Sequence, residues 1–265
     1  MKAIKYILFI CYILLVLVTT FFLFTFNQFS NSQIQNVTII GLSYDVGDFS
    51  KGDLLLATKK IDKVKKNNDI IYYDTENYRL VRHSIEGLAY KEKLRIRSYA
   101  QADPDSPVFV ELKKKCDSVV YKRRMALPEG EAMEWFAGKR SCETSTQISE
   151  EIAYFLDYYK TLRPMVLLSY EREAYCTKEE SDFRVTFDEH ILCRQEDLSL
   201  ESEVGGIPVL KDGMVLMEIK CSGGIPVWMA RALSKERIYK TSFSKYGTAY
   251  QTIIFPKLKE DFLHA

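Results

Sequence analysis

The chain has 265 residues, 47% of them hydrophobic and 13% aromatic, with 37 Lys and Arg against 36 Asp and Glu and a formal net charge of +1. That apolar content excludes a disordered chain and is enough for one large domain or two small ones. The near-neutral balance excludes polyanion binding through bulk charge, so any such site must be a local concentration of cations.

In chain order, Ile7 to Phe26 is an almost unbroken apolar run of about twenty residues, long enough for a bilayer-spanning helix. Lys2 and Lys5 precede it and no Lys or Arg follows until Lys51, so the positive-inside rule places the N-terminus inside and the remainder outside. A cleaved signal peptide is the alternative, but no small-x-small site follows. Residues 1–26 are therefore expected to be a membrane anchor, through 7–26. Residues 27–69 are expected to be a polar linker followed by two short strands. The anchor, Ser43 and Gly52-Asp53-Leu-Leu-Leu resemble the start of a type I signal peptidase, with Ser43 near the nucleophile position. The residues after Ser43 depart from that pattern, and no Lys stands where the general base belongs. A Ser without a base is inert, so peptidase activity is not expected.

From Ile71 onward the pattern predicts a helix near Tyr78–Ile85, then strands over 92–99, 107–115 and 119–125, and a helix over Glu129–Phe136. Thr144-x-x-Gln147 reads as a capping box opening a helix through Tyr159, with Pro164 as its stop. Strands follow at 165–175, 183–188 and 214–220. Pro226 opens a helix whose Trp228 is expected in the core, and Ser242–Tyr246 is expected as a last strand.

The strands share one device: charged or polar residues at every second position, rich in Arg and Lys. They are Arg95 and Arg97; Glu111, Lys113 and Lys115; Lys122 and Arg124; Tyr170 and Arg172; Arg184, Thr186 and Asp188; Glu218 and Lys220; Ser244 and Tyr246. Residues at i and i+2 of a strand share one face. Closed into a barrel, such strands enclose a cationic lumen suited to a polyphosphate or a nucleoside triphosphate. The alternative is the solvated face of an ordinary antiparallel sheet.

Six cysteines, Cys11, Cys116, Cys142, Cys176, Cys193 and Cys221, show no CxxC spacing and no zinc-like pairing with His83, His190 or His264. Free thiols in a reducing compartment are expected.

Motifs then follow in a fixed order: Tyr72-Tyr-Asp-Thr75, Glu92-Lys-Leu-Arg-Ile-Arg-Ser-Tyr99, Val110-Glu-Leu-Lys-Lys-Lys115, Val120-Tyr-Lys-Arg-Arg124, Leu162-Arg-Pro164, Tyr170-Glu-Arg172, Arg184-Val-Thr-Phe-Asp188, Met217-Glu-Ile-Lys220 and Ser242-Phe-Ser-Lys-Tyr246. From about residue 70 to 254 this series resembles a VTC domain, the polyphosphate polymerase branch of the CYTH or triphosphate tunnel superfamily. The resemblance implies an α+β fold, an antiparallel β-tunnel flanked by helices and here preceded by a transmembrane helix, with the tunnel domain at 70–265. It implies transfer of the γ-phosphate of a nucleoside triphosphate onto a polyphosphate chain, with Mn or Mg as cofactor and no nucleic acid partner. Carried over by position, Arg95, Arg97, Lys113, Lys122, Arg172 and Lys245 would handle the phosphates, Tyr170 and Ser244 would contact substrate, and Glu218 would hold the metal. Arg184 and Lys220 join them from the alternation. The alternatives are a non-catalytic polyphosphate-binding module and an inorganic tripolyphosphatase.

Two features depart from the family pattern. The first strand of the form Glu-x-Lys-Tyr is missing, which predicts a tunnel short of one strand, and a join to a different protein near residue 70 would explain it. The anchor predicts the domain outside, whereas free thiols and use of a nucleoside triphosphate predict the cytoplasm. Adjacent Ser244 and Lys245 also cannot both point inward from a regular strand.

Overall fold

The structure, a computed structural model, describes residues 37–43, 58–60, 66–117, 119–177, 183–221 and 223–263, the first two stretches as backbone alone. The expected anchor at 7–26 and Gly52-Asp53 lie outside the described residues. Among the described residues no helix is long and apolar enough to cross a membrane.

The strands are β1 (Val37–Ser43), β2 (Thr58–Lys60), β3 (Lys66–Asp74), β4 (Tyr90–Ser98), β5 (Pro107–Cys116), β6 (Val119–Pro128), β7 (Arg163–Thr177), β8 (Arg184–Arg194), β9 (Ile207–Pro208) and β10 (Val215–Cys221). The helices are α1 (Arg79–Ile85), α2 (Glu129–Phe136), α3 (Gln147–Tyr159), α4 (Val227–Lys235) and α5 (Lys245–Ala249), which runs through a π-turn (Tyr250–Ile254) into α6 (Phe255–Leu263). All strands join one antiparallel sheet in the order β1-β10-β8-β7-β3-β4-β5-β6, with β2 added to β7 and β9 to β8.

The register settles which residues share a face. Tyr72 faces Arg95, which faces Glu111, which faces Arg124; one step along, Lys93 faces Lys113, which faces Lys122. On the other side Arg172 faces Asp188, Thr186 faces Glu218 and Arg184 faces Lys220. The alternate residues turn outward and are apolar: Leu94, Ile96, Val108, Val110 and Leu112 pack under α2 and α3 with Ala132, Trp135, Ile152 and Phe155. Val185, Phe187, Met217 and Ile219 pack under α4 with Met229, Ala232 and Leu233. Trp228 is half-buried there, edge-on to Phe183.

The sheet curls. From β5 to β10 the order passes through β4, β3, β7 and β8, and five interstrand steps would span about 24 Å on a flat sheet. Yet the Lys113 ammonium on β5 feels Lys220 and Glu218 of β10. The charged face is therefore the inside of a tunnel-like sheet. One end of it is filled: Ile70, Val166, Leu168 and Leu216 on the inner face pack with Tyr246, Ala249, Tyr250 and Ile254 from α5 and the π-turn.

Several expectations change. The tunnel is not short of its first strand on the β10 side: β1 pairs with β10 over Val37–Ser43, a β-branched segment hidden behind a polar stretch that reads as linker. The cap of α3 is Thr146, whose hydroxyl accepts from the Ser149 N–H while Ser149 answers the Thr146 N–H, and not Thr144 with Gln147. That helix stops at Lys160, which is left-handed at φ 54, before Pro164 is reached. Ser242–Tyr246 is not a strand: Ser244 caps α5 by accepting from the Gly247 N–H at 3.2 Å. A Ser-x-x-Gly cap satisfies a free helix N–H, which a strand's alternation does not require.

Candidate functional site

The Tyr-Tyr-Asp-Thr segment ties the site together from behind. Asp74 is fully buried and accepts from the N–H groups of Thr75 (2.8 Å), Leu80 (2.8 Å) and Val81 (3.0 Å), and from the Tyr246 hydroxyl (3.1 Å). One carboxylate thus caps α1 and fixes α5, the helix that carries Lys245. Tyr246 also stacks on Tyr72 at 4.8 Å between ring centroids. Because α5 starts at Lys245 with Ser244 as its cap, both side chains can address the tunnel, which removes the parity conflict of a strand.

Inside, two carboxylates each gather cations. Glu111 is buried and pairs with Arg95 (2.6 Å), Lys122 (2.9 Å) and, more loosely, Arg124 (3.7 Å). Burial alone would raise its pKa, but Arg95 and Lys122 hold it down at about 2. Asp188 accepts from both N–H donors on one guanidinium edge of Arg172, Nε at 2.5 Å and Nη2 at 2.7 Å, and also from the Lys245 ammonium. Its pKa is lowered for the same reason: Arg172 and Lys245 overcome the cost of burial. Tyr170 lies beneath both cations, with Lys245 at 4.4 Å and Arg172 at 5.2 Å from the ring centroid, and burial pushes its phenol up to about 12.

Between these clusters runs a row of three lysines in which Lys122 alone pairs with an acid, Glu111. Lys93, Lys113 and Lys122 face one another across β4, β5 and β6, and like charges directly opposite are destabilising. Burial lowers the pKa of Lys93 and of Lys113, with neighbouring cations adding to it. The Lys93 ammonium donates to the Ser244 hydroxyl at 3.0 Å. Tyr72 accepts from Arg95 at 3.0 Å; burial would raise its pKa, but the field of Arg95, Lys93 and Lys245 lowers it. Arg97 is buried, donates to Asn68 through one terminal nitrogen, and leaves its Nε–H without an acceptor. A buried N–H without a partner is costly, and a phosphate oxygen would satisfy it.

Glu218 is half-buried, 3.1 Å from Lys220 and 3.8 Å from Arg172. The hydroxyl of Thr186, opposite it in register, is buried and unpartnered. A loosely held carboxylate beside an orphaned hydroxyl suits a hard divalent cation whose other ligands are water and phosphate oxygens. Arg184 and Lys220 are exposed, at one mouth of the tunnel. Of the eleven residues expected from sequence, Lys113, Lys122, Arg184 and Lys220 are exposed, and the other seven are buried or half-buried inside. Sequence reasoning omitted Lys93, Glu111, Asp188 and Tyr72 from the site, although Lys93 continues the Arg95, Arg97 alternation by one step.

A curled antiparallel sheet whose inner face gathers cations from six strands and a capping helix defines a triphosphate-tunnel domain. The sequence matches the VTC domain family over residues 29–254, and the chain belongs to that family. The match begins well before residue 70, so no join to an unrelated protein is needed there. No curated protein matches the chain. Among solved structures, a Hippeastrum protein described as an adenylyl cyclase with a dominant triphosphatase activity is similar at 13% identity, covering 83% of this chain and 96% of that one with a TM-score of 0.48. A Bacillus halodurans protein described as an adenylate cyclase gives 13%, 80%, 96% and 0.44. The PH1819 protein of Pyrococcus horikoshii gives 13%, 84%, 98% and 0.41.

Proposed function

We propose that the tunnel is a polyphosphate polymerase site, transferring the terminal phosphoryl group of a nucleoside triphosphate to the end of a polyphosphate chain. The observation that carries this reading is the Lys93–Lys113–Lys122 row beside the unsatisfied Arg97 Nε–H, which calls for a multiply charged phosphate rather than a single anion. Phosphoryl transfer asks the protein for alignment and charge stabilisation more than for covalent chemistry. Arg95 and Arg97 would hold one stretch of phosphates, Arg172 and Lys245 another, and the lysine row would span the transferred group. The oxygen of the acceptor chain forms the new P–O bond as the bond to the nucleoside diphosphate breaks. Glu218 and Thr186 would hold Mn or Mg, which neutralises phosphate charge when bound. The apolar segment 7–26 is proposed as a membrane anchor, and a tunnel facing the cytoplasm fits its free thiols and substrate.

The test is incubation of the full chain with ATP and manganese, with products separated by chain length on a gel. Long polyphosphate is expected. Glu218→Ala should abolish turnover at least a hundredfold while leaving polyphosphate binding in place. Free phosphate without chains would make the protein a triphosphatase; bound polyphosphate with no turnover would make it a binding module.

A further inference from the structure

Two apolar surfaces lie outside the tunnel, and among the described residues nothing covers either of them. The first is a groove between α1, α3 and the outer face of β4 and β5. It comprises a cavity of about 440 Å³ lined by Leu80, Leu88, Tyr90, Tyr154, Phe155 and Tyr158. A neighbouring cavity of about 560 Å³ shares Arg79, Tyr158 and Tyr159 with it, so the two form one trough. Its floor is Glu92, a buried carboxylate that accepts from the hydroxyls of Tyr90 and Tyr159, both at 2.6 Å. Tyr154 and Tyr158 stack on each other yet remain 67% and 59% exposed. Packed tyrosines left open to water, beside an arginine that lies 5.6 Å from the Tyr159 ring centroid, are the composition of a protein-binding hot spot.

The second surface is α6. Its Phe255, Leu258 and Phe262 fall at i, i+3 and i+7, a single stripe, and none of its residues is buried by its own copy. Phe262 is 83% exposed and Leu263 69%. A helix of this kind with anchors at i, i+3 and i+7 is what an apolar groove receives. Charges on the two surfaces also match. Lys259, beside the stripe on one side, can face Glu76, and Asp261, beside it on the other, can face Arg79 or Lys114, while Lys257 and Glu260 lie on the far side of the helix.

We propose that the partner is a second copy of this chain: α6 of each copy lies in the trough of the other, forming a two-fold dimer by exchanged helices. Reciprocal exchange closes the assembly, so both apolar surfaces are covered in both copies and no open filament results. Neither surface contributes to the tunnel, so the inference stands whether or not the tunnel is a polymerase.

The experiment uses the full chain in mild detergent, in a Cys116→Ser background because that thiol is exposed. One preparation carries Tyr158→Cys and another Phe262→Cys, and a short bismaleimide is added to each alone and to the mixture. A link between position 158 of one chain and position 262 of another is expected only in the mixture. Adding Leu258→Glu to the second preparation should cut its yield at least tenfold without changing polyphosphate binding. The proposal fails if the mixture gives no 158–262 link, or if Leu258→Glu leaves the yield unchanged. It also fails if the doubly substituted chain links within itself at high dilution. Protection of the thiol at position 262 by lipid vesicles, without the link, would assign α6 to a membrane instead.

Discussion

Glu111→Gln keeps the shape of the inner carboxylate and removes its charge. In the folded protein Arg95 and Lys122 hold the Glu111 pKa at about 2, against an ordinary 4.5. A folded-state pKa below the unfolded one stabilises the protein above the unfolded value, and that contribution is lost as pH falls through the folded value. The difference corresponds to about 3 kcal/mol at pH 7, falling to about 1 kcal/mol at pH 3. The side chain is buried, so solvent screening takes little from this figure. Urea unfolding of wild type and Glu111→Gln at both pH values measures it directly. The substitution also releases Arg95, Lys122 and Arg124 from their shared anion, so polyphosphate should bind the variant more tightly and with a steeper dependence on salt. Saturating polyphosphate should then restore more stability to the variant than it adds to wild type. Equal stability at pH 7, or a deficit of the same size at pH 3, would refute the account of Glu111 as an ionised hub.

Three further outcomes test other joints of the structure. Asp188→Asn breaks a buried pair to two cations and should cost about 3 kcal/mol; in steady-state kinetics it should lower turnover more than substrate affinity, because Arg172 and Lys245 lose their alignment rather than their charge. Asp74→Ala leaves three buried N–H groups and one hydroxyl without an acceptor and should cost about 3 kcal/mol or more, whereas Tyr246→Phe should cost about 1 kcal/mol; chemical denaturation of the pair separates the knot from its single strand. Gly206 has φ +136, and a Cβ there would lie 2.6 Å from the Cys193 carbonyl oxygen, so Gly206→Ala should cost about 2 kcal/mol or more and lower the melting temperature.

The alternation of charge along the strands was legible because a period of two is imposed by the pleat itself, and the register bears it out from Arg95 to Lys220. The sequence could not reveal what lies opposite what. That Lys93, Lys113 and Lys122 form one row, or that Glu111 serves three cations, depends on strand pairing that no spacing along the chain encodes. Asp188 was visible in the pattern but not as a clamp, since its partners come from β7 and from α5. Ser242–Tyr246 misled because three alternating polar residues fit a strand as well as a cap, and only Gly247 tips the choice. Val37–Ser43 was missed because the polar stretch before it masks a short β-branched segment whose partner, β10, lies far along the chain. The knot at Asp74 looked like a family signature with no stated duty; the structure gives it one, holding α5 against the sheet.

The π-turn at Tyr250–Ile254 has a consequence for how this surface could change. An α-helix advances about 100° per residue, and a π-turn takes in one residue more than an α-turn. Everything after Ile254 is therefore rotated by that amount relative to an uninterrupted continuation of α5. Tyr246, Ala249 and Tyr250 plug the tunnel, while Phe255, Leu258 and Phe262 face elsewhere. Deleting one residue here would swing the second stripe round toward the first without altering a single apolar side chain. A one-codon change could thus redirect what the C-terminal helix touches while leaving the charged face of the tunnel intact, and the insertion acts as an angular setting between the two halves of one helix.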